Sequence, residues 1–311
     1  MKNQKTKGNL LLLLTAFIWG TSFIAQSVGV EKVSAATFVG VRSIIGGIVL
    51  LPVIFISDMF EKKNGKSESK WDKNVLIGGF FCGLCLCLAS TVQTVGMQYT
   101  GPGKAGFITA LYMVIIPIIR LFMGKKPDIL TVAAVIVAVA GMYFLCLTSD
   151  LGINKGDIYI FICAFLFSAH VLVIDYFSPK TDGVKLSCVQ FMVSGILASV
   201  WALLFDKPQL ADVVNCWKPI CYSGALSCGV AYTLQVIGQK YTDPTSASIL
   251  MSLESVFSTL SAAFLAACGW SLTGGTLSAR EIIGCVLMFC AIMLVQLPDM
   301  KKASKKCKGL I

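Results

Sequence analysis

Charge is what this sequence lacks most. Only 14% of its 311 residues are Asp, Glu, Lys or Arg, against about 25% in soluble domains, so a water-facing surface cannot be assembled. Nucleic acid is thereby excluded as a partner, because the net charge of +10 has no basic soluble face on which to gather. Histidine occurs once, at His170, too few for a His-rich metal site and a poor start for a Ser–His set. Paired aspartates within one apolar segment are missing as well, so an intramembrane enzyme is a weak reading. No Walker-type phosphate loop occurs, which argues against direct ATP drive. Nothing in the chain calls for a cofactor.

What is present is apolar. Hydrophobic residues make up 56% of the chain and mean hydropathy is +0.79. They come in blocks near the ~20 residues that cross a bilayer as a helix. The pattern predicts an all-α membrane protein with ten transmembrane helices, at 8–28, 33–57, 74–98, 102–123, 129–148, 156–177, 185–205, 218–240, 244–267 and 278–297. The lysines ahead of the first helix resemble a signal peptide. Its apolar run exceeds the roughly 7–15 residues of a signal core, however, and no small-residue cleavage site follows, so it reads as a retained helix. With the N-terminus in the cytoplasm, inner segments hold 18 Lys/Arg and outer segments hold six. That bias satisfies the positive-inside rule with both termini inside. A multi-pass plasma-membrane location is the expectation, from the lack of other targeting elements, with the lipid bilayer as the surrounding partner. Most of the thirteen cysteines fall in apolar spans, where Cys behaves as a small hydrophobe. Cys82 and Cys85 form a C-x-x-C without a second pair or nearby His to complete a metal site.

The segment Thr91–Leu111 returns 142 residues later as Thr233–Leu253, with eight of 21 aligned positions identical. Five expected crossings separate the copies, so they run antiparallel. Inverted repeats of this kind let many secondary transporters build two alternating faces from one design. A weaker echo aligns Gly8, Ala16 and Phe17 with Gly156, Ala164 and Phe165. The chain therefore divides into two inverted five-helix repeats, 1–150 and 151–311, the second ending in a basic cytoplasmic tail. Pro102 and Pro244 stand at first helical positions, where a missing N–H costs nothing, and Asp243 is suited to cap the helix at Pro244. Gly79-x-x-x-Gly83 and the glycines at 40, 46 and 47 suit close helix packing. Pro117 predicts a kink that the aligned Thr259 would not produce.

These residues resemble the drug/metabolite transporter superfamily, in its ten-helix, two-repeat EamA type. Helix 1 carries Trp19-Gly20-Thr21-Ser22-Phe23, similar to the family's W-G-[ST]-[ST]-F, and helix 2 carries Phe38-x-x-x-Arg42. Tyr99 through Pro117, Leu253-Glu254-Ser255-Val256-Phe257 and Gly284 are similar to the helix 4, 9 and 10 patterns. The stretch Cys268–Gly275 departs from the family's short L-G-E turn, and the role of that glutamate is not carried over. The resemblance implies transport of small metabolites, often amino acids and often outward, with broad-specificity efflux of hydrophobic or cationic compounds as the nearest alternative.

Ionisable groups inside a membrane are costly and by default mark function. Glu254 is the one acidic residue placed deep, about ten residues or ~15 Å into helix 9, and Arg42 lies near the midplane of helix 2. Glu254 reads either as a cavity carboxylate that binds a substrate ammonium or exchanges a proton, or as a structural group paired with Arg42. Proton coupling and facilitated diffusion fit the sequence equally. His170 reads more readily as a structural hydrogen-bonding group than as a relay. Tyr112 aligns with Glu254, and Gln93 with Gln235; Tyr232 lies one turn before Gln235. Trp19, Ser22 and Gln26 share a helical face at i, i+3 and i+7. Aromatic faces with buried amides suit a small amphipathic solute, and these residues form the expected substrate site. Gly101-Pro102-Gly103-Lys104-Ala105-Gly106 matches a dinucleotide fingerprint in letters only, since a membrane helix and not a strand precedes it.

Overall fold

A chain this apolar must satisfy its backbone internally, and helices do so segment by segment. The computed structural model describes residues 2–63, 71–100, 102–146, 153–268 and 278–308, and all regular structure among them is helical. Helices α1 (Lys2–Val30), α2 (Ala35–Lys63), α3 (Lys73–Met97), α4 (Pro102–Ala110), α5 (Tyr112–Phe122) and α6 (Ile129–Cys146) form the first half. The second half comprises α7 (Lys155–Phe177), α8 (Gly183–Trp201), α9 (Leu210–Asn215), α10 (Trp217–Tyr222), α11 (Thr233–Gln239), α12 (Pro244–Met251), α13 (Glu254–Ala267) and α14 (Ala279–Lys308). π-helical turns at Ala202–Asp206 and Ser223–Tyr232 extend α8 and join α10 to α11. Eight of the helical stretches are long and apolar enough to cross a membrane, and Ile129–Leu145 is a shorter apolar helix. Helix 2 runs on to Lys63 and the last helix to Lys308, past the expected ends. Between 206 and 217 the short α9 replaces an expected loop, held by Cys216, which is buried with Val33, Phe38 and Ile220.

The packing is two-fold. α3 lies along α7, and its counterpart, residues 217–239, lies along α1; α4–α5 touches α7 as α12–α13 touches α1. The pairs α2 with α8 and α6 with α14 are their own images. Glycines make these crossings close. A Cβ on Gly8 would stand 2.7 Å from Thr242 Oγ1 and 2.8 Å from the Gly238 carbonyl oxygen, and one on Gly156 would meet Thr100 Oγ1 and, at 2.7 Å, the Gly96 carbonyl oxygen. Each threonine then donates across the crossing, Thr242 to Asn9 Oδ1 at 3.0 Å and Thr100 to Asp157 Oδ1 at 2.8 Å. Gly79 and Gly83 likewise bring α3 against Val189 and Gln190 of α8. A shared glycine–threonine lock at both crossings is the duplication written in packing.

Two expectations change. The helix at 102–122 does break, but at Leu111 and not at Pro117, through which α5 continues. Its counterpart breaks at the aligned place, Ser252–Leu253, while α13 continues through Thr259, which aligns with Pro117. In both copies short three-residue hydrogen bonds interrupt the helical ladder, Leu111 N to Ile108 O and Val114 N to Leu111 O, then Leu253 N to Leu250 O and Ser255 N to Ser252 O, while four-residue bonds from Ile115 N to Leu111 O and from Phe257 N to Leu253 O carry it on. Proline is therefore not the cause; the break belongs to the repeat. Asp243 does cap α12, accepting from the N–H groups of Thr245 and Ser246. Gly101 and residues 269–275 lie outside the described residues.

Candidate functional site

The two breaks face one buried cavity. The space within it open to the centre of a water-sized sphere is about 40 Å³. Its walls come in pairs from the two halves: Gln93 with Gln235, Thr109 with Met251 and Tyr112 with Glu254 at the 142-residue offset. Trp19 with Phe167 and Phe23 with Val171 follow at the 148-residue offset of Gly8 and Gly156. Of the nine candidate residues, eight line this space: Trp19, Arg42, Gln93, Tyr112, His170, Tyr232, Gln235 and Glu254.

Ser22 is the exception. It is fully buried away from the cavity wall, and its hydroxyl makes no hydrogen bond. Gln26, from the same expected face, lines the wall with Trp19, and Phe23 lines it where Ser22 does not. At ~100° per residue, Phe23 and Gln26 fall about 40° and 20° to either side of Trp19, while Ser22 falls about 60° away.

The charged groups break the symmetry. Arg42, 3% exposed, comes from the first half, and Glu254, 6% exposed, from the second. They do not pair with each other. Arg42 Nη1 donates to Gln26 Oε1 at 2.9 Å and its guanidinium lies 5.4 Å from the Phe38 ring centre, while its Nε finds no partner among the described residues. Glu254 opens α13 just after the break, where the helix N-terminus favours negative charge. Trp19 Nε1, Tyr112 Oη and Gln235 Oε1 are also buried without partners. Gln93 Nε2 donates to Thr109 Oγ1 at 3.1 Å. His170 Nε2 donates to Gln190 Oε1 at 3.1 Å, so the ring is held in place as well as facing the cavity. Tyr232 is the aromatic hub, with ring centres 4.5 Å from Trp19, 5.5 Å from Phe191 and 6.0 Å from His170.

Wall residues outside the expected set are Phe23, Thr109, Phe167, Val171, Ser227 and Met251, while Gln26, from the expected face of α1, is on the wall as well. The repeat alignment carries a signal for Thr109 and Met251, and the Gly8–Gly156 offset for Phe167, Phe23 and Val171. Lys104, in the glycine-rich stretch, pairs with Asp157 at 2.6 Å and is part of a helix contact. Among the described residues, no group of three or more His, Cys, Asp and Glu could hold a metal ion.

The model of the EamA-like transporter family matches residues 6–147 and again residues 154–297. The chain belongs to that family. It is 31% identical over 296 residues to an uncharacterized transporter of Archaeoglobus fulgidus, covering 94% of this chain and 87% of that one. Two transporters of Bacillus subtilis are also similar: YwfM at 25% identity, covering 95% of this chain and 97% of its own, and YoaV at 20%, covering 91% and 94%. A solved crystal structure shares the fold with a TM-score of 0.75 at 19% identity, over 95% of this chain and 98% of its own. This EamA-type transporter thus carries two copies of the family unit and is a multi-pass plasma-membrane protein.

Proposed function

We propose that this EamA-type protein is a secondary transporter of small zwitterionic metabolites of the amino-acid type, working by alternating access across ten membrane helices with both termini inside. One observation carries the substrate class: a buried cavity bears one guanidinium and one carboxylate, from opposite halves, that do not neutralise each other. Buried charges are expensive unless matched, and a zwitterion matches both. Its carboxylate would take Arg42 Nε, with the orphan donors Trp19 Nε1 and Tyr112 Oη in the same wall. Its ammonium would take Glu254 and Gln235 Oε1. Phe23, Phe167, Tyr232 and Met251 offer apolar surface to a side chain.

A lipophilic cation satisfies Glu254 but sets its charge against Arg42, which ranks broad efflux of cations second. About 40 Å³ holds about three water molecules, so a solute enters only when the halves separate. The paired breaks at Leu111 and Leu253 are suited to be the points where each half bends. The outward direction rests on the family resemblance. Proton exchange at Glu254 would couple transport to the proton gradient; facilitated diffusion is the uncoupled alternative.

The test is flux into proteoliposomes holding the purified full-length chain, with a panel of radiolabelled amino acids, their decarboxylated amines and lipophilic cations, with and without a pH gradient. Saturable flux of zwitterions above that of the amines is the expected result. Flux of cations alone would select the second reading, and no flux of any solute under an imposed gradient would sink both.

A further inference from the structure

Two half-helices stand between the cavity and the end of the bundle where α1 begins. α5 runs from Tyr112 on the cavity wall to Arg120 in its last turn, and α12 runs from Met251 on the same wall back to its cap, Asp243. The two pack against each other. Their far parts, Pro117, Arg120, Asp243, Thr245 and Ser246, line a second cleft, which Lys5 of α1 also lines. About 220 Å³ of that cleft is open to the centre of a water-sized sphere, against about 40 Å³ in the cavity. At ~1.5 Å per residue, a plug ~12 Å deep separates the two spaces. Met113, Ile116, Ala247 and Leu250 of this plug belong to one buried apolar cluster.

On its cleft side the plug is tied across the two halves. Arg120 Nη1 donates to Asp243 Oδ1 and, at 3.1 Å, to Thr245 Oγ1. The tie has no image at the other end, because the aligned positions are Gly101 and Ala262, which carry no charge. There Lys104 of α4 pairs with Asp157 of α7, a neighbouring helix, and not with α13. The α4–α13 contact is also looser: a Cβ on Gly106 would meet only Ser255 Oγ among the described residues, at 3.8 Å, whereas the aligned Ser248 is fully buried. Asp175 of α7 lies within electrostatic reach of Arg120 and offers it a second carboxylate once Asp243 lets go. The tie can therefore part without stranding a charge. We propose that α5 and α12 are the gate between the cavity and this cleft, with Arg120 and Asp243 as its latch, a proposal that rests on the alternating access proposed above. The breaks at Leu111 and Ser252–Leu253 are its hinges. Each lies at the cavity end of its half-helix, so α5 and α12 swing while α4 and α13 stay in place.

Access to the cavity from each face tests the gate. Ser227, on the cavity wall, is changed to cysteine (Ser227→Cys) in the full-length chain. Its reaction with a membrane-impermeant maleimide is timed in spheroplasts and in inside-out vesicles, and the chain without the change supplies the background of native thiols. The closed cavity is too small for the reagent, so the rate follows the open fraction. A partly exposed ion pair shifts an equilibrium by up to about fivefold. Added to Ser227→Cys, R120Q and D243N should each speed labelling about three- to fivefold from the face where α1 begins, and from that face alone. Asn keeps the helix cap, so D243N removes the charge and not the cap. In R120Q/D243N the gain should match that of either single variant, since both break one contact. D175N, which leaves the latch in place, should stay within about twofold. Unchanged rates in R120Q and D243N would overturn the latch. So would an equal rise from both faces, which marks general loosening, or a rise in D243A alone, which reduces Asp243 to a cap. Failure of the transport reading shows differently, as no flux by the unmodified chain whatever the labelling pattern.

Discussion

Replacing Glu254 and Arg42 one at a time, against three ligands, tests whether the cavity reads both ends of a zwitterion. A hydrogen bond to a charged group contributes about 1.5–3 kcal/mol, which is about ten- to hundredfold in affinity. Glu254→Gln keeps the shape of the side chain, and its carboxylate makes no ion pair with any described residue that would be lost. It should therefore weaken a zwitterionic amino acid and its decarboxylated amine by that factor, and leave the matching carboxylic acid within about threefold. Arg42→Gln should do the reverse, weakening the amino acid and the acid while sparing the amine. Arg42 also holds Gln26 at 2.9 Å, so Arg42→Lys, which keeps the charge, separates lost recognition from a disturbed wall. The assay is competition against counterflow of a labelled amino acid in proteoliposomes. If both variants shift all three ligands alike, the residues are structural. If Glu254→Gln leaves the amino acid within threefold of wild type, the zwitterion model is wrong.

Three further outcomes follow from the geometry. Gly8→Val and Gly156→Val force side chains into crossings where even a Cβ would stand 2.7 Å from its neighbours; each should destabilise by about 1–3 kcal/mol, read as lower thermal stability in detergent. Gly106→Ala, whose nearest neighbour is Ser255 Oγ at 3.8 Å, should be neutral or mildly stabilising, since Ala exceeds Gly in a helix by about 1 kcal/mol. In spheroplasts and inside-out vesicles, a cysteine at Lys62 should react with a membrane-impermeant maleimide only from the cytoplasmic side and one at Lys155 only from outside; the opposite pattern would invert the orientation.

Much of the site was legible because the duplicated segment keeps residues with local jobs, the Gly–Tyr–Thr lock and the N1 proline, and carries Gln93, Gln235, Tyr112 and Glu254 along with them. The helix breaks were not legible at their true places. Leu111 and the Ser252–Leu253 pair contain neither Gly nor Pro, so tertiary packing and not backbone chemistry sets them, and Pro117 lies six residues past the first break. The partner of Arg42 also escaped: Gln26 shares a face with Trp19, but which of two apolar-rich faces turns inward is decided by neighbours that the α1 sequence does not contain. Ser22 was misplaced for the same reason.

The π-helical turn Ser223–Tyr232 shows where comparing the repeats explains a feature that neither half reveals alone. Gly83 packs on the Gln190 carbonyl and Val193, and Gly224 packs on the Arg42 carbonyl and Ile45, their counterparts at the 148-residue offset. These two glycines are therefore equivalent, at an offset of 141 residues, whereas Thr91 and Thr233 are equivalent at 142. One extra residue lies between them in the second half, and packing fixes the register at both ends, so the helix absorbs it by widening to π geometry. The widened turn supplies Ser227 and Tyr232 to the cavity, where the first half offers no such hub. Deleting Leu226, which is 41% exposed, should then restore an ordinary helix with both ends in register. Such a variant should keep its thermal stability within a few degrees yet lose transport. Deleting Leu84 from the equivalent stretch of α3, which has no surplus residue to give up, should abolish folding. If both deletions unfold the protein alike, the surplus-residue account of the π turn fails.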